Sequence, residues 1–397
     1  MKNQIFQNIS RNVWILGFVS LLTDVSTKMI DSILPLFLVS TLGANLLTVG
    51  LIEGIAESTA SILKVLSGIL SDYFRQRKQL AVVGYGLSTL VKPLFAIATS
   101  PAWVLIARFG DRVGKGIRVA PRDALVADMT DKAHLGAAYG LRQSLDTIGA
   151  FTGPIVAFIL MSLSGQNFQL VFWVAVVPGI FAVVLLAVFI QEPKTEFEAR
   201  QKNPLHRDSL KSLGKEYWML VAVALLFNLG NSSDAFLLLQ AQQVGVSTAL
   251  VPLTIVVMNI TYFVSAYPAG LLSDRIGRLG LLVSGFLVYA LTYLGFAFTS
   301  SPWQVWVLFA LYGLYQGMSK GILSAMIAQT VPSSLRGTAF GFINLAIGVA
   351  LLVASILAGS LWESLSPKAA FMTGSIFAVV ATGLLLGSRS SSLSTQK

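Results

Sequence analysis

The sequence contains no cysteine and only two histidines, His134 and His206. Without cysteine there is no disulfide, no thiol nucleophile and no soft-metal site. Both histidines fall in polar connections, so any acid–base chemistry inside an apolar segment must rest on carboxylates. Charge is scarce as well: Asp, Glu, Lys and Arg make up 12% of 397 residues, against 55% hydrophobic. A soluble chain of this length needs far more charge to cover its surface, so the composition places the chain in a lipid bilayer. The formal net charge is +10. Such a surplus could serve nucleic acid, but the positions of the basic residues assign it to membrane topology, and no nucleic-acid partner is expected.

A bilayer core of about 30 Å is crossed by roughly 20 residues of helix. Apolar runs of that order lie at about 13–40, 46–70, 79–99, 102–126, 137–162 and 168–190, and again at about 217–240, 250–272, 279–299, 303–329, 338–362 and 369–387. The reading is an all-α membrane protein with twelve transmembrane helices. The first run is too long for the apolar core of a signal peptide and carries Asp24, Lys28 and Asp31, so no cleaved leader is expected. With the N-terminus inside, seventeen Lys and Arg residues fall in cytoplasmic segments and only Lys368 in the opposite loops. The positive-inside rule then puts both termini in the cytoplasm, and a bacterial inner (cytoplasmic) membrane is the expected location. The long charged connection 192–216 reads as a cytoplasmic linker, too short for a core of its own. It separates a first six-helix bundle, 1–191, from a second, 217–397.

The two bundles repeat each other. SGILSD at 67–72 returns as AGLLSD at 269–274, and the pair Lys115-Gly116 falls on Gln316-Gly317 at an offset of about 201 residues. Allowing for the linker, Asp24 is matched with Asp234. Parallel repeats of this kind produce two pseudo-symmetric bundles that rock about a midplane site.

Several motifs carry a resemblance. Gly68, Asp72 and Arg75, and in the second half Gly270, Asp274 and Arg275, resemble the loop 2–3 signature of the major facilitator superfamily. Glycine there permits close helix packing, and the charges hold the cytoplasmic interface. In the first copy Tyr73 stands in the family's Arg position and Arg75 where Gly is usual. Arg112 to Gly116 resembles the family's helix 4 motif with Lys115 in place of Gln. Gly140, Gly149, Gly153 and Pro154 reproduce the spacing of its helix 5 antiporter motif, whose terminal Gly-Gly is here Ala157-Phe158. The resemblance covers the whole chain. It implies the twelve-helix fold of the proton-antiporter (efflux) branch, with helices 1, 4, 7 and 10 lining a central cavity.

Charged residues inside the spans are costly, at about 2.5–3.5 kcal/mol each near mid-bilayer, and mark function. Asp24, Lys28 and Asp31 share one face of helix 1 at helical spacing. Arg108, Asp111, Arg112 and Lys115 line helix 4, Glu57 lies in helix 2, and Arg142 and Asp146 share a face of helix 5. The second half offers Asp234 and Lys320 together with amides and hydroxyls, among them Asn231, Tyr315 and Gln316. Asp24, Glu57, Asp111, Asp146 and Asp234 are the proton-coupling candidates. Lys28, Asp31, Arg108, Arg112, Lys115, Arg142, Asn231, Tyr315, Gln316 and Lys320 are the cavity candidates. Arg112 should pair with a carboxylate of helix 1 or 5, Asp24 or Asp146. Lys64 and Lys92 read as snorkelling toward the interfaces, and Arg118, Arg122 and Asp123 as gate residues.

With these pieces the chain is expected to be a secondary active transporter. It would move protons and a small organic solute, anionic or zwitterionic because bases outnumber acids in the first-half spans. Proton-driven export is the first reading and proton-coupled uptake of a metabolite the second. A receptor or an enzyme would need an output domain, a nucleophile–base pair or a metal cluster, and none is visible. No cofactor, no metal and a monomer in the bilayer are expected.

Overall fold

The computed structural model describes residues 10–74, 76–131, 134–191, 213–331 and 335–394. Twelve long helical segments account for them: α1 Arg11–Thr41, α2 Leu46–Phe74, α3 Arg77–Ala96, α4 Pro101–Asp128, α5 Leu135–Leu163 and α6 Phe168–Phe189. The second set is α7 Lys215–Gln243, α8 Val251–Ile276, α9 Arg278–Phe298, α10 Pro302–Thr330, α11 Arg336–Ser364 and α12 Pro367–Ser394. Most of the linker, 192–212, lies outside the described residues.

Ten of the twelve are long and apolar enough to cross a membrane. The two that fall short are α4 and α10, fourth in each set, and they fall short for a reason. The α4 sequence holds Arg108, Asp111, Arg112, Lys115, Arg118, Arg122 and Asp123, while α10 interrupts its apolar run with Tyr312, Tyr315, Gln316 and Lys320. A helix with that content cannot face hydrocarbon and must turn its polar side inward. The lipid-facing surface shows the complement, with Leu163, Leu90 and Ile106 among many large apolar side chains left exposed. On a soluble protein such a surface would aggregate.

The helix contacts repeat with the sequence. In the first set α1 packs on α5 and α6, and α3 on α4 and α6. In the second α7 packs on α11 and α12, and α9 on α10 and α12. By contacts the chain forms two compact units. One comprises Met1–Ala44, Ile55–Glu198 and Ser247–Val256, and the other Asn45–Gly54, Ala199–Val246 and Val257–Lys397. The first unit has an apolar core that includes Val13, Leu16 and Val19 of α1, Tyr85 of α3, Leu125 of α4 and Leu186 of α6.

The first helix of each set is broken, and neither break stands out in the hydropathy. The regular turn of α1 ends after Asp31, with Ile33 at φ −125° and ψ −12°. Pro35 follows, which has no N–H for the helical ladder, and the chain continues through a wide turn at Phe37–Thr41. In α7 the helix stops at Gly230 and restarts at Ala235, with Asn231 at ψ 73°. Backbone groups freed at membrane depth need partners. The Gly230 carbonyl accepts from the Tyr289 hydroxyl at 2.8 Å, and the Ser233 N–H donates to Ser355 Oγ at 3.2 Å. Asp31 and Asp234 therefore sit at corresponding breaks. This corrects the match of Asp24 with Asp234: the partner of Asp234 in the repeat is Asp31.

Candidate functional site

The break in α1 delivers Asp31 to the polar face of α4. Its carboxylate accepts from the Arg108 guanidinium, from Arg112 Nη2 at 3.1 Å, and from the Lys28 ammonium at 3.5 Å. Arg108 and Arg112 are the turn-to-turn pair of one helical stripe, and both are buried, Arg112 to 2% exposure. Arg112 also faces Glu57 of α2 at 3.5 Å and its neighbour Asp111 at 3.9 Å. The expectation that Arg112 pairs across to helix 1 holds, but the residue is Asp31. Asp24 and Asp146 are not its partners, because Asp24 lies farther down α1 beside Gly149 of α5 and Asp146 pairs within its own helix.

Behind this cluster lies Lys92 of α3, and here the structure overturns an expectation. Lys92 does not snorkel; it is 1% exposed, and its ammonium donates to Ser26 Oγ and to Thr27 Oγ1, the latter at 3.3 Å. The Ser26 hydroxyl in turn donates a hydrogen bond to the Ala175 carbonyl of α6. A buried ammonium at this depth is tolerated because hydroxyls replace its water, and Asp111, held by the Ser88 hydroxyl, adds charge nearby. Thr27, Asp31, Lys92, Phe95, Arg108 and Asp111 enclose one small space. Lys115, half-buried one turn beyond Asp111, lies in the fields of Arg112, Glu57, Lys28 and Asp31.

A second cluster forms nearer the C-terminal end of α4 and the N-terminal end of α5. Arg142 donates to Asp146 at 2.5 Å, and its Nε stands 3.8 Å from Asp123 of α4. Arg122 donates to Asp123 at 2.9 Å and to Ser20 of α1 at 3.1 Å. Arg118, 4% exposed, lies over the ring of Tyr85 at 4.7 Å.

The second unit replaces charge with hydroxyls and amides. Tyr312 of α10 donates to Asp234 at 2.8 Å and reaches Asn231 at 3.4 Å. Asn231 in turn reaches Asn228, whose amide donates to the Ala224 carbonyl at 2.8 Å. Behind Tyr312 stand Tyr289, Tyr293 and Tyr315, with Tyr289 and Tyr293 stacked at 4.2 Å between centroids. Lys320 donates to Gln316 at 2.9 Å and sits over the Tyr262 ring at 5.6 Å. The same unit buries Glu53, which accepts from the Ser233 hydroxyl at 3.3 Å. Sequence reasoning named Tyr315 but not Tyr289, Tyr293 or Tyr312. Their recurrence across α9 and α10 was the available signal, and tyrosine in a span reads as apolar until its hydroxyl has a partner.

The glycines of α5 have a concrete role. A Cβ on Gly149 would stand 2.6 Å from the Leu21 carbonyl oxygen, and one on Gly153 would stand 2.7 Å from both Lys28 Cβ and the Val25 carbonyl. Backbone of α5 thus rests on backbone of α1, one turn from Asp24 and Lys28, with Pro154 buried beside it. Gly140, first of the spaced set, is exposed and meets nothing. Gly270 likewise has open space around it. Gly68, Asp72, Arg75, Asp274 and Arg275 lie outside the residues whose side chains are described.

Comparison with known proteins agrees with this architecture. A model of the Major Facilitator Superfamily matches residues 16–241 and 226–397. An uncharacterised MFS-type transporter of Methanocaldococcus jannaschii is 34% identical over 390 residues, covering 97% of this chain and 96% of that protein. The multi-drug resistance efflux pump PmrA of Streptococcus pneumoniae is 25% identical over 84% of this chain and 85% of its own. Among solved structures, the nucleoside transporter NupG superposes with a TM-score of 0.77 at 15% identity, covering 95% of this chain and 99% of that one. That last likeness concerns the fold.

Proposed function

This chain belongs to the major facilitator superfamily, a multi-pass membrane transporter and not an enzyme, and from that premise we propose that it exports a small organic solute in exchange for protons. The solute is anionic or zwitterionic. The observation that carries the reading is the assembly of Asp31, the buried Arg108 and Arg112 and the half-buried Glu57 across α1, α2 and α4. Four ionised groups at membrane depth are expensive to keep. Their charges must be exchanged with a ligand or a proton during transport. A carboxylate whose guanidinium partners move away in a dry site takes up a proton, and it releases that proton when they return. Rocking of one bundle against the other supplies such a movement.

Export is favoured over uptake by two observations. The chain is similar over most of its length to a multidrug efflux pump. The close α1–α5 contact at Gly149 and Gly153 also falls in the spaced-glycine motif that antiporters of the superfamily share. The seventeen-to-one distribution of Lys and Arg supports cytoplasmic termini and an inner membrane, with residues 192–216 joining two six-helix bundles. The protein works as a monomer in the bilayer and needs no cofactor.

The test is transport in proteoliposomes of known orientation. With a pH-sensitive dye inside and candidate metabolites outside, an antiporter moves protons opposite to solute. Solute and proton moving together would replace export by the uptake reading, and solute flux indifferent to the proton gradient would end both.

A further inference from the structure

The first-unit cluster is not uniformly buried, and what it shows to solvent is chemically specific. Asp31, Asp111, Lys92, Arg108 and Arg112 form its closed back. In front of them Lys28 is 39% exposed and Glu57 is 35% exposed, with Lys115 half-buried between their fields. Ionised side chains partway along a span do not face lipid; they face water or a ligand. The accessible face therefore offers one carboxylate flanked by two ammonium groups.

The contacts of Lys28 with Asp31 and of Glu57 with Arg112 are longer than the one that holds Asp31 to Arg112. Lys28 meets Asp31 at 3.5 Å and Glu57 meets Arg112 at 3.5 Å, whereas Asp31 is bonded to both guanidiniums behind them. A ligand can take over the front contacts without opening the back. The balance of charge adds a second constraint. Lys28, Lys92, Arg108, Arg112, Lys115 and Arg118 face Asp24, Asp31, Glu57 and Asp111, a surplus of two positive charges in a region of low dielectric. The neighbouring α6 carries no charged residue at all. An anion brought in with the ligand offsets that surplus.

We propose that this face binds a solute bearing both an ammonium and a carboxylate or phosphate, with Glu57 taking the ammonium and Lys28 with Lys115 taking the acid group. The assignment rests on the antiport reading above and makes it specific. Glu57 can hold the ligand's ammonium or a proton, not both, so the two exclude each other at one oxygen pair. Mutual exclusion is what an exchanger requires. The groups facing Glu57 are Arg112, Lys115 and Arg108 of α4 and Asp31 of α1.

Purified full-length protein in detergent, followed by thermal unfolding and by equilibrium binding between pH 5 and pH 8, tests the assignment. The probes are glutamate and phosphoethanolamine, succinate and inorganic phosphate as acid-only controls, and butylamine as the amine-only control. At pH 8 the first pair should bind at least roughly tenfold more tightly than any control, the gain expected of one further charge-assisted hydrogen bond. Glu57→Gln should bring the zwitterions down to the affinity of the acid-only probes. Lys115→Gln should weaken the zwitterions and the acid-only probes alike, and it serves where Glu57→Gln fails to fold. Equal binding of acid-only probes, undiminished zwitterion binding by Glu57→Gln, or no binding by any probe overturns the assignment. The dye assay on wild-type protein reports separately on antiport, so the coupling reading can fail while the binding result stands, and the reverse.

Discussion

Asp31 is the acceptor on which two buried guanidiniums depend, and the consequences of losing it can be stated. Removing one partner of a buried ion pair leaves an uncompensated charge, at a cost of about 3–5 kcal/mol. Asp31→Ala is expected to lower the melting temperature of the purified protein by many degrees and to abolish transport. Asp31→Asn, which still accepts hydrogen bonds, should fold better and remain inactive. Asp24→Asn should disturb folding less than either, because Asp24 stands half-buried at the α1–α5 contact and does not hold the arginines. Melting curves of the three variants rank them, and a normal melting curve for Asp31→Ala would show that the pair carries no stability. The need of Arg112 for a carboxylate is legible in the sequence, because a guanidinium at that depth cannot stand alone. Which carboxylate meets it is not, since Asp24 and Asp31 share one helical face and only the end of the regular helix after Asp31 decides between them. Lys92 shows the same boundary from the other side. A lone lysine in a span has the composition of a snorkelling residue, and only the hydroxyls of Ser26 and Thr27, on another helix, make it a core residue.

At the scale of the helix, the α1–α5 contact decides how freely one element moves over another. Packing in lipid depends on close approach of backbones, and small residues permit it. Gly153→Leu would drive a branched side chain into the Val25 carbonyl and the Lys28 side chain, and Gly149→Leu into the Leu21 carbonyl. Both should cut turnover at least tenfold. Gly140→Leu, at an exposed position with open space, should leave it within twofold. Exchange rates in proteoliposomes, normalised to folded protein, give the comparison; damage at all three positions alike would mean that the spacing of the glycines, and not their contact, matters. The helices themselves are readable from apolar runs, and their order from the charge of the connections. The breaks in α1 and α7 are not, because Pro35 and Gly230 each have many neighbours of the same kind in spans that stay regular, such as Pro93 in α3 and Pro178 in α6. A break is stable only where other helices supply partners for the freed backbone, as Tyr289 and Ser355 do in the second unit.

The whole molecule repeats its architecture and diverges in its chemistry. Where α4 holds Asp31 with guanidiniums, α10 holds Asp234 with the Tyr312 hydroxyl, and the tyrosines and amides around it carry no formal charge at neutral pH. The hydrogen bond from Tyr312 to the Asp234 carboxylate is of the kind that contributes roughly 1.5–3 kcal/mol. On the reading proposed above, the first unit exchanges charge and the second positions the neutral part of the solute. Tyr312→Phe is the sharpest test of that division, since it deletes one oxygen and leaves the aromatic cluster in place. It should raise the KM for transport about tenfold or more, as expected for a lost contact of roughly 1.5–3 kcal/mol. It should leave the dependence of transport on pH unchanged, whereas Glu57→Gln should flatten it. The measurement is transport rate against solute concentration at several pH values for wild type and both variants. If Tyr312→Phe flattened the pH profile and kept the KM, Asp234 would be the proton carrier, and the polar face of the second unit would have to be read as the coupling site.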